Sequence, residues 1–158
     1  MYVMGIDTSA VVASTGVPAF KVGQLGMDND SNIFQYIHAN GVAVVGDVMV
    51  IDEVFEADQL TVTNSPEGTG AYLPLGVAVV ALADNEWGWV QRFGIVAAIN
   101  VATSAAVHEQ LNSTATVGRL DDNALAGAEY LLGISLTTAE SGNLAPGVLS
   151  WPTVDVAV

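Results

Sequence analysis

The chain has 158 residues, of which 51% are hydrophobic and only 13% charged, and its formal net charge is −14. Three cations, Lys21, Arg92 and Arg119, stand against 17 acids, so there is no basic footprint to displace counterions from phosphates, and an anionic bilayer repels the chain for the same reason. Nucleic acid and membrane are therefore excluded as expected partners, and the absence of cysteine excludes disulfides and thiolate metal sites.

A chain of this length fits one domain and buries about 68–70% of its unfolded surface. Its mean hydropathy is +0.48, and its charged fraction is about half the usual share. That leaves much neutral surface, which is often covered by a partner. The plainer alternative is a compact monomer with a Ser/Thr/Asn skin. No basic stretch precedes an apolar one at the N-terminus, so no secretory leader is expected. No apolar run approaches the length of a membrane span. A soluble protein, or one assembled into something soluble, is the expectation.

Residues 1–32 read as an irregular or extended arm with at most one short strand. Apolar residues without period are broken by Ser14-Thr15-Gly16, Pro18, Gly23 and Gly26. Tyr2, Val3 and Phe20 make the arm too apolar to stay in water, so it should lie on its own domain or on a neighbour. From residue 33 the pattern is strand-like, and residues 33–158 are expected to form one β-rich domain. Strands are predicted at 33–38, 48–55 and 60–63, followed by a loop over 64–70. A run over 75–82 and its return over 87–91 flank a three-residue link, Asp84-Asn85-Glu86, which predicts a hairpin. Further strands are predicted at 95–101, 108–111, 116–120, 130–137 and 148–154. Helix is weakly signalled, with a turn or two at 101–107 and 124–129. The fold class is thus mainly β, a single antiparallel sandwich or barrel-like domain with an extended N-terminal arm.

Catalytic chemistry finds little material. His38 and His108 lack partners at metal-ligand spacing, and no nucleophile elbow, phosphate loop or dinucleotide fingerprint is present. Asp52, Glu53, Glu56 and Asp58 read as a solvated acidic loop. Asp28, Asp30 and Asn32 imitate the start of a calcium loop, but Ile33 stands where its glycine belongs. No enzyme activity, cofactor or metal is expected. Trp87 and Trp89 alternate around Gly88, so in a strand both indoles share one face with Gln91. That face is core, sugar platform or protein interface. Arg92 falls on the other face, where a rare cation suggests a specific carboxylate partner within or outside the chain.

The segment Leu75-Gly76-Val77-Ala78, followed by Trp87-Gly88-Trp89-Val90-Gln91-Arg92-Phe93-Gly94, resembles head decoration, or cement, proteins of tailed bacteriophages. There a "GVA" strand precedes a "YGWVQ-x-x-G"-like strand, and Trp87 stands where tyrosine is frequent. The likeness continues through Asn100-Val101-Ala102 and residues 111–120, 133–139 and 146–152; upstream it takes in residues 24–26 and 34–39. It covers roughly residues 23–152, and nothing before residue 23 matches. The resemblance implies a structural virion protein on the exterior of the capsid, made in the bacterial host cytoplasm. Its implied partners are the major capsid protein and further copies of itself, as a trimer or a dimer. Candidate interface residues are Tyr2, Val3, Phe20, Tyr36, Trp87, Trp89, Gln91 and Arg92. The alternative is a carbohydrate-binding or host-adhesion module with Trp87, Trp89 or Tyr36 as a platform.

Overall fold

The computed structural model describes residues 2–65, 73–123 and 126–155. Among them there is no helix and there are eleven strands: β1 (Val3–Met4), β2 (Leu25–Met27), β3 (Ile33–Ala39), β4 (Val48–Ile51), β5 (Glu56–Gln59), β6 (Leu75–Ala78), β7 (Trp87–Asn100), β8 (Asn112–Ser113), β9 (Leu120–Asp121), β10 (Leu131–Leu136) and β11 (Leu144–Val154). The protein is mainly β, as the strand-like pattern from residue 33 onward predicts.

Nine strands form one sheet in the order β1-β2-β3-β5-β4-β6-β7-β11-β10, and an additional pairing joins β3 to β7. That pairing closes β3, β5, β4, β6 and β7 into a ring. Side chains that alternate inward from the ring form one core: Ile37 and Ala39 from β3, Met49 and Ile51 from β4, Ala57 from β5, Ala78 from β6 and Val90 from β7. Ala39, Ala57 and Ala78 fit between the larger Ile37, Met49, Ile51 and Val90. At Gly76 an added Cβ would lie 2.7 Å from Cγ2 of Val90.

The sheet is mixed rather than purely antiparallel. β3 runs parallel to β5, and β1 parallel to β2. β4 reverses the chain between β3 and β5 but lies beyond β5 in the sheet, so the two reversals leave β3 and β5 running the same way.

Strand β7 belongs to two layers. Its first half pairs with β3, and from Phe93 onward it pairs with β11. Arg92 is the extra residue at the switch, because Phe93 opposes Ile33 while Gln91 opposes Phe34. Gly94 turns the chain at φ +99, where a Cβ would collide with the Asn32 side chain. The Asn32 Oδ1 atom accepts the Ile95 N–H at 3.0 Å, ending the β3 ladder. Residues 87–91 and 95–101 were expected as two strands; Gly94 is instead a bend inside one.

The second half of β7, with β11 and β10, covers the outward side of β4 and β6. Val48, Leu75 and Val77 meet Val96, Ile99, Ile134, Leu136 and Leu149 in the largest core, and Leu111 just before β8 and Leu120 of β9 add to it. Part of the apolar content of 2–32 lies on the chain's own barrel, while Tyr2, Met4 and Val17 are exposed. Phe20 and Ile6 pack against Phe34, Tyr36 and Trp89, and Val12 and Trp87 exchange both backbone hydrogen bonds at 2.9 and 3.0 Å.

Several expected boundaries move, each for a local reason. Residues 60–63 form a turn, because Asn64 accepts the Thr61 N–H at 2.6 Å and donates to the Gln59 carbonyl at 2.7 Å; these bonds compete with a ladder. The preceding acidic segment is the strand instead, with Ala57 buried. β4 stops at Ile51, since Asp52 Oδ1 accepts the N–H groups of Val54 and Glu56. β6 stops at Ala78. Residues 108–111 and 116–120 are largely turns and irregular chain. β11 begins at Leu144 and runs through Pro146, which sits at a register shift between Ala145 and Gly147. Residues 101–107 hold turns, and Ala124 and Leu125 of the second weak helix signal lie outside the described residues.

Candidate functional site

The outward side of the β7–β11 layer follows from strand alternation. Val96 and Leu149 point into the core, so Ile95 and Val148, which oppose each other across the ladder, point out. Ile95 is 73% exposed and Val148 41%. Phe93 lies opposite Ser150 on the same side, and Ser135 of β10 lies opposite Val148. Leu132 is also exposed on β10. None of these side chains carries charge, although the protein as a whole is strongly acidic. The layer therefore presents an apolar face to solvent where sheets usually alternate to polar residues.

Trp151 stands at the border of this face. It is 39% exposed and adopts φ +52, an uncommon conformation for a bulky residue. Its ring centroid lies 6.4 Å from that of Phe93 and 5.5 Å from the guanidinium carbon of Arg92. Arg92 itself is only 6% exposed. Its Nη1 donates to Gln35 Oε1, while its Nε is buried without a hydrogen-bond partner. Among the described residues the one ion pair joins His38 to Glu56, at 3.5 Å, so no carboxylate there neutralises Arg92. Burial lowers its pKa to about 10, which keeps it cationic at neutral pH.

The sequence-predicted contact residues do not form one surface. Tyr2 is exposed and Val3 half-buried beside it on the edge strand. Phe20, Tyr36 and Trp89 make an aromatic core, with Phe20 5.4 Å from Tyr36 and 5.1 Å from Trp89 between ring centroids. Trp89 is 1% exposed and Tyr36 equally buried, and Gln91 is buried too. Gln91 is spent inside the β7 bend, donating to the carbonyls of Phe93 and Ile95 at 3.2 and 2.9 Å. Trp87 is half-buried and stacks on His38 at 4.9 Å. Trp87 and Trp89 do share a face, but the N-terminal segment covers it, so the two indoles offer no exposed coplanar platform. Phe93, Ile95, Val148 and Trp151 were missed as surface residues. The available signal is Phe93-Gly94-Ile95, which puts apolar residues on the alternate positions that face away from Val96.

Two depressions stand out among the described residues. One, of about 350 Å³, is lined by residues 21–25 and Phe55. The other, of about 150 Å³, is lined by Asn40, Val50, Asp52, Glu56, Asp58 and Asn64. The second is about half the smallest usual ligand cavity. Its Asp52 carboxylate accepts the N–H groups of Val54 and Glu56, and its Asp58 carboxylate that of the adjacent Gln59 in β5. Among the described residues no cluster of three or more His, Asp or Glu side chains is arranged to hold a metal ion. No helix in those residues is long and apolar enough to cross a membrane.

No protein-family model matches the chain, and no curated protein matches it.

Proposed function

We propose that this chain is a structural virion protein that binds the outer surface of a bacteriophage capsid and stabilises contacts between capsomers. The observation that carries this reading is the uncharged Phe93–Ile95–Val148 face on a protein of net charge −14. Exposed apolar area of this kind marks a contact surface. The ordered resemblance to head decoration proteins over residues 23–152 supports the same reading. Its partners are the major capsid protein and further copies of this chain. Many weak contacts repeated over one shell add up through avidity.

The test is co-sedimentation of the purified protein with assembled empty shells of the major capsid protein, followed by heating of the decorated shells. Bound protein and a raised disruption temperature are expected. Protein that stays in the supernatant and leaves the shells as fragile as before would end the proposal.

A further inference from the structure

We infer that Asn40 is a modification site, a spontaneous deamidation centre at which the chain itself and water are the only reactants. The reaction needs no partner, so its test is separate from that of capsid binding.

Asn40 is exposed at the end of β3 and is followed by Gly41, the one Asn-Gly pair in the chain. Its backbone is anchored, since its N–H donates to the Ala57 carbonyl at 2.8 Å. Among the described residues neither its side-chain amide nor the Gly41 N–H has a hydrogen-bond partner. Gly41 adopts φ +126 and has no Cβ to shield its nitrogen. The nucleophile and the carbon it attacks are therefore adjacent in the chain, and no bond has to break before they meet. Two other asparagines are held differently. Asn64 spends its amide on Thr61 and Gln59, and the Ser65 N–H that follows it donates to the Thr61 carbonyl at 3.1 Å. Asn112 is buried, and the Ser113 N–H after it donates to the Glu129 carbonyl at 3.0 Å.

In the first step the Gly41 nitrogen bonds to Asn40 Cγ and gives up its proton. The Cγ–Nδ2 bond breaks, ammonia leaves, and a cyclic imide closes. Water then adds to either imide carbonyl. Opening at Cγ restores the main chain with an aspartate at position 40. Opening at the main-chain carbonyl carbon reroutes the backbone through the side chain and adds a methylene to it. The balance is amide plus water to carboxylate plus ammonium, with no change of oxidation state. Either product sets a new carboxylate in the wall of the depression that Asp52, Glu56 and Asp58 also line. The rerouted product lengthens the chain just before residues 42–45, where Val42, Val44 and Val45 are exposed and Ala43 bridges to Leu82.

The experiment ages the full chain at mildly alkaline pH in heavy-oxygen water and maps it by peptide mass spectrometry. An isoaspartyl-specific methyltransferase reports the rerouted backbone. Uptake of one heavy oxygen at Asn40 is expected, at least about tenfold faster than at Asn64 or Asn112, the size of a hydrogen bond those sites must first break. Asn40→Gln should abolish it, because the longer side chain has to close a larger and slower-forming ring. An Asn40 amide that survives in the folded chain but is lost in guanidinium overturns the inference, since the fold would then protect it. Equal rates at the three asparagines overturn it as well, because local geometry would then select nothing.

Discussion

Asp47 holds Asn100 through a hydrogen bond of 2.8 Å from Nδ2 to Oδ1, although 53 positions separate them in the chain. The other oxygen of the same buried carboxylate accepts the Val44 N–H at 2.9 Å and a bond from Gln59 Nε2. Asn100 in turn accepts from Arg119 Nε at 3.1 Å. One acid thereby joins the loop before β4, the end of β5, the end of β7 and the approach to β9. Asp47→Ala is expected to cost about 2–4 kcal/mol, since it strands several donors at once. Urea unfolding checks this; an unchanged midpoint would show that the network holds nothing together.

The two tryptophans Trp89 and Trp151 should behave oppositely. Trp89 fills the space between Phe20 and Tyr36, so Trp89→Ala should lose about 3–5 kcal/mol. Trp151→Ala removes a half-exposed ring and a cation–π contact, and should lose about 1 kcal/mol. Equal losses would mean that Trp151 belongs to the core and not to the face.

Tyr36 gives the fold an alkaline limit. Burial raises its pKa above the ordinary 10.0, and the bond from the Ala19 N–H only partly offsets this. The folded state then holds the phenolic proton more tightly than the unfolded state. Its contribution is complete below pH 10 and fades as pH rises through the folded-state value. Arg92, lowered to about 10, acts in the opposite sense, because the unfolded state binds its proton more tightly above that pH. Comparing wild type with Tyr36→Phe isolates the tyrosine. Wild-type stability should fall relative to the variant above pH 10, and parallel pH profiles would refute the assignment.

Charge placed on the exposed face should separate binding from folding. Ile95→Asp and Val148→Asp alter side chains that already contact water, and each should change stability by no more than about 1 kcal/mol. Each should weaken co-sedimentation with shells at least about tenfold, by burying an unpaired carboxylate at the contact. Retained shell binding by both variants would place the contact elsewhere on the protein.

Gly94→Ala tests the bend in β7. A residue with a Cβ meets both the left-handed backbone and the Asn32 side chain. A loss of about 2–3 kcal/mol is expected, seen as a lower midpoint in thermal or urea unfolding; a neutral substitution would show that Asn32 moves aside freely.

Much of the fold is written locally. The aromatic and β-branched run at β3 is legible because alternation acts over a few residues. The pairing of β6 with β7 is legible too, but not through the link Asp84-Asn85-Glu86, since β6 ends at Ala78 and Leu82 bridges to Ala43 instead. Glycine and proline misled where they bend a strand without ending it. Gly94 and Pro146 sit at switches and bulges, and their sequence signature is that of a turn. The parallel pairing of β3 with β5 and the packing of Phe20 on Trp89 depend on contacts far apart in the chain, which no local pattern encodes. The exposed apolar face was hidden for a related reason. Where both sides of a strand are apolar, as around Ile95 and Val96, only the tertiary fold decides which side meets water.

Strand β7 threads the barrel and the outer layer without a break, and this has a consequence for how the molecule comes apart. Releasing the outer layer strips the cover from Val48, Leu75 and Val77, while opening the barrel removes the partners of β7 itself. Neither half retains a sealed interior alone. Heat should therefore melt both in one transition, with equal calorimetric and van't Hoff enthalpies. A pull on the exposed face travels along a single covalent strand into the closed ring, which distributes the load over hydrogen bonds on both of its edges.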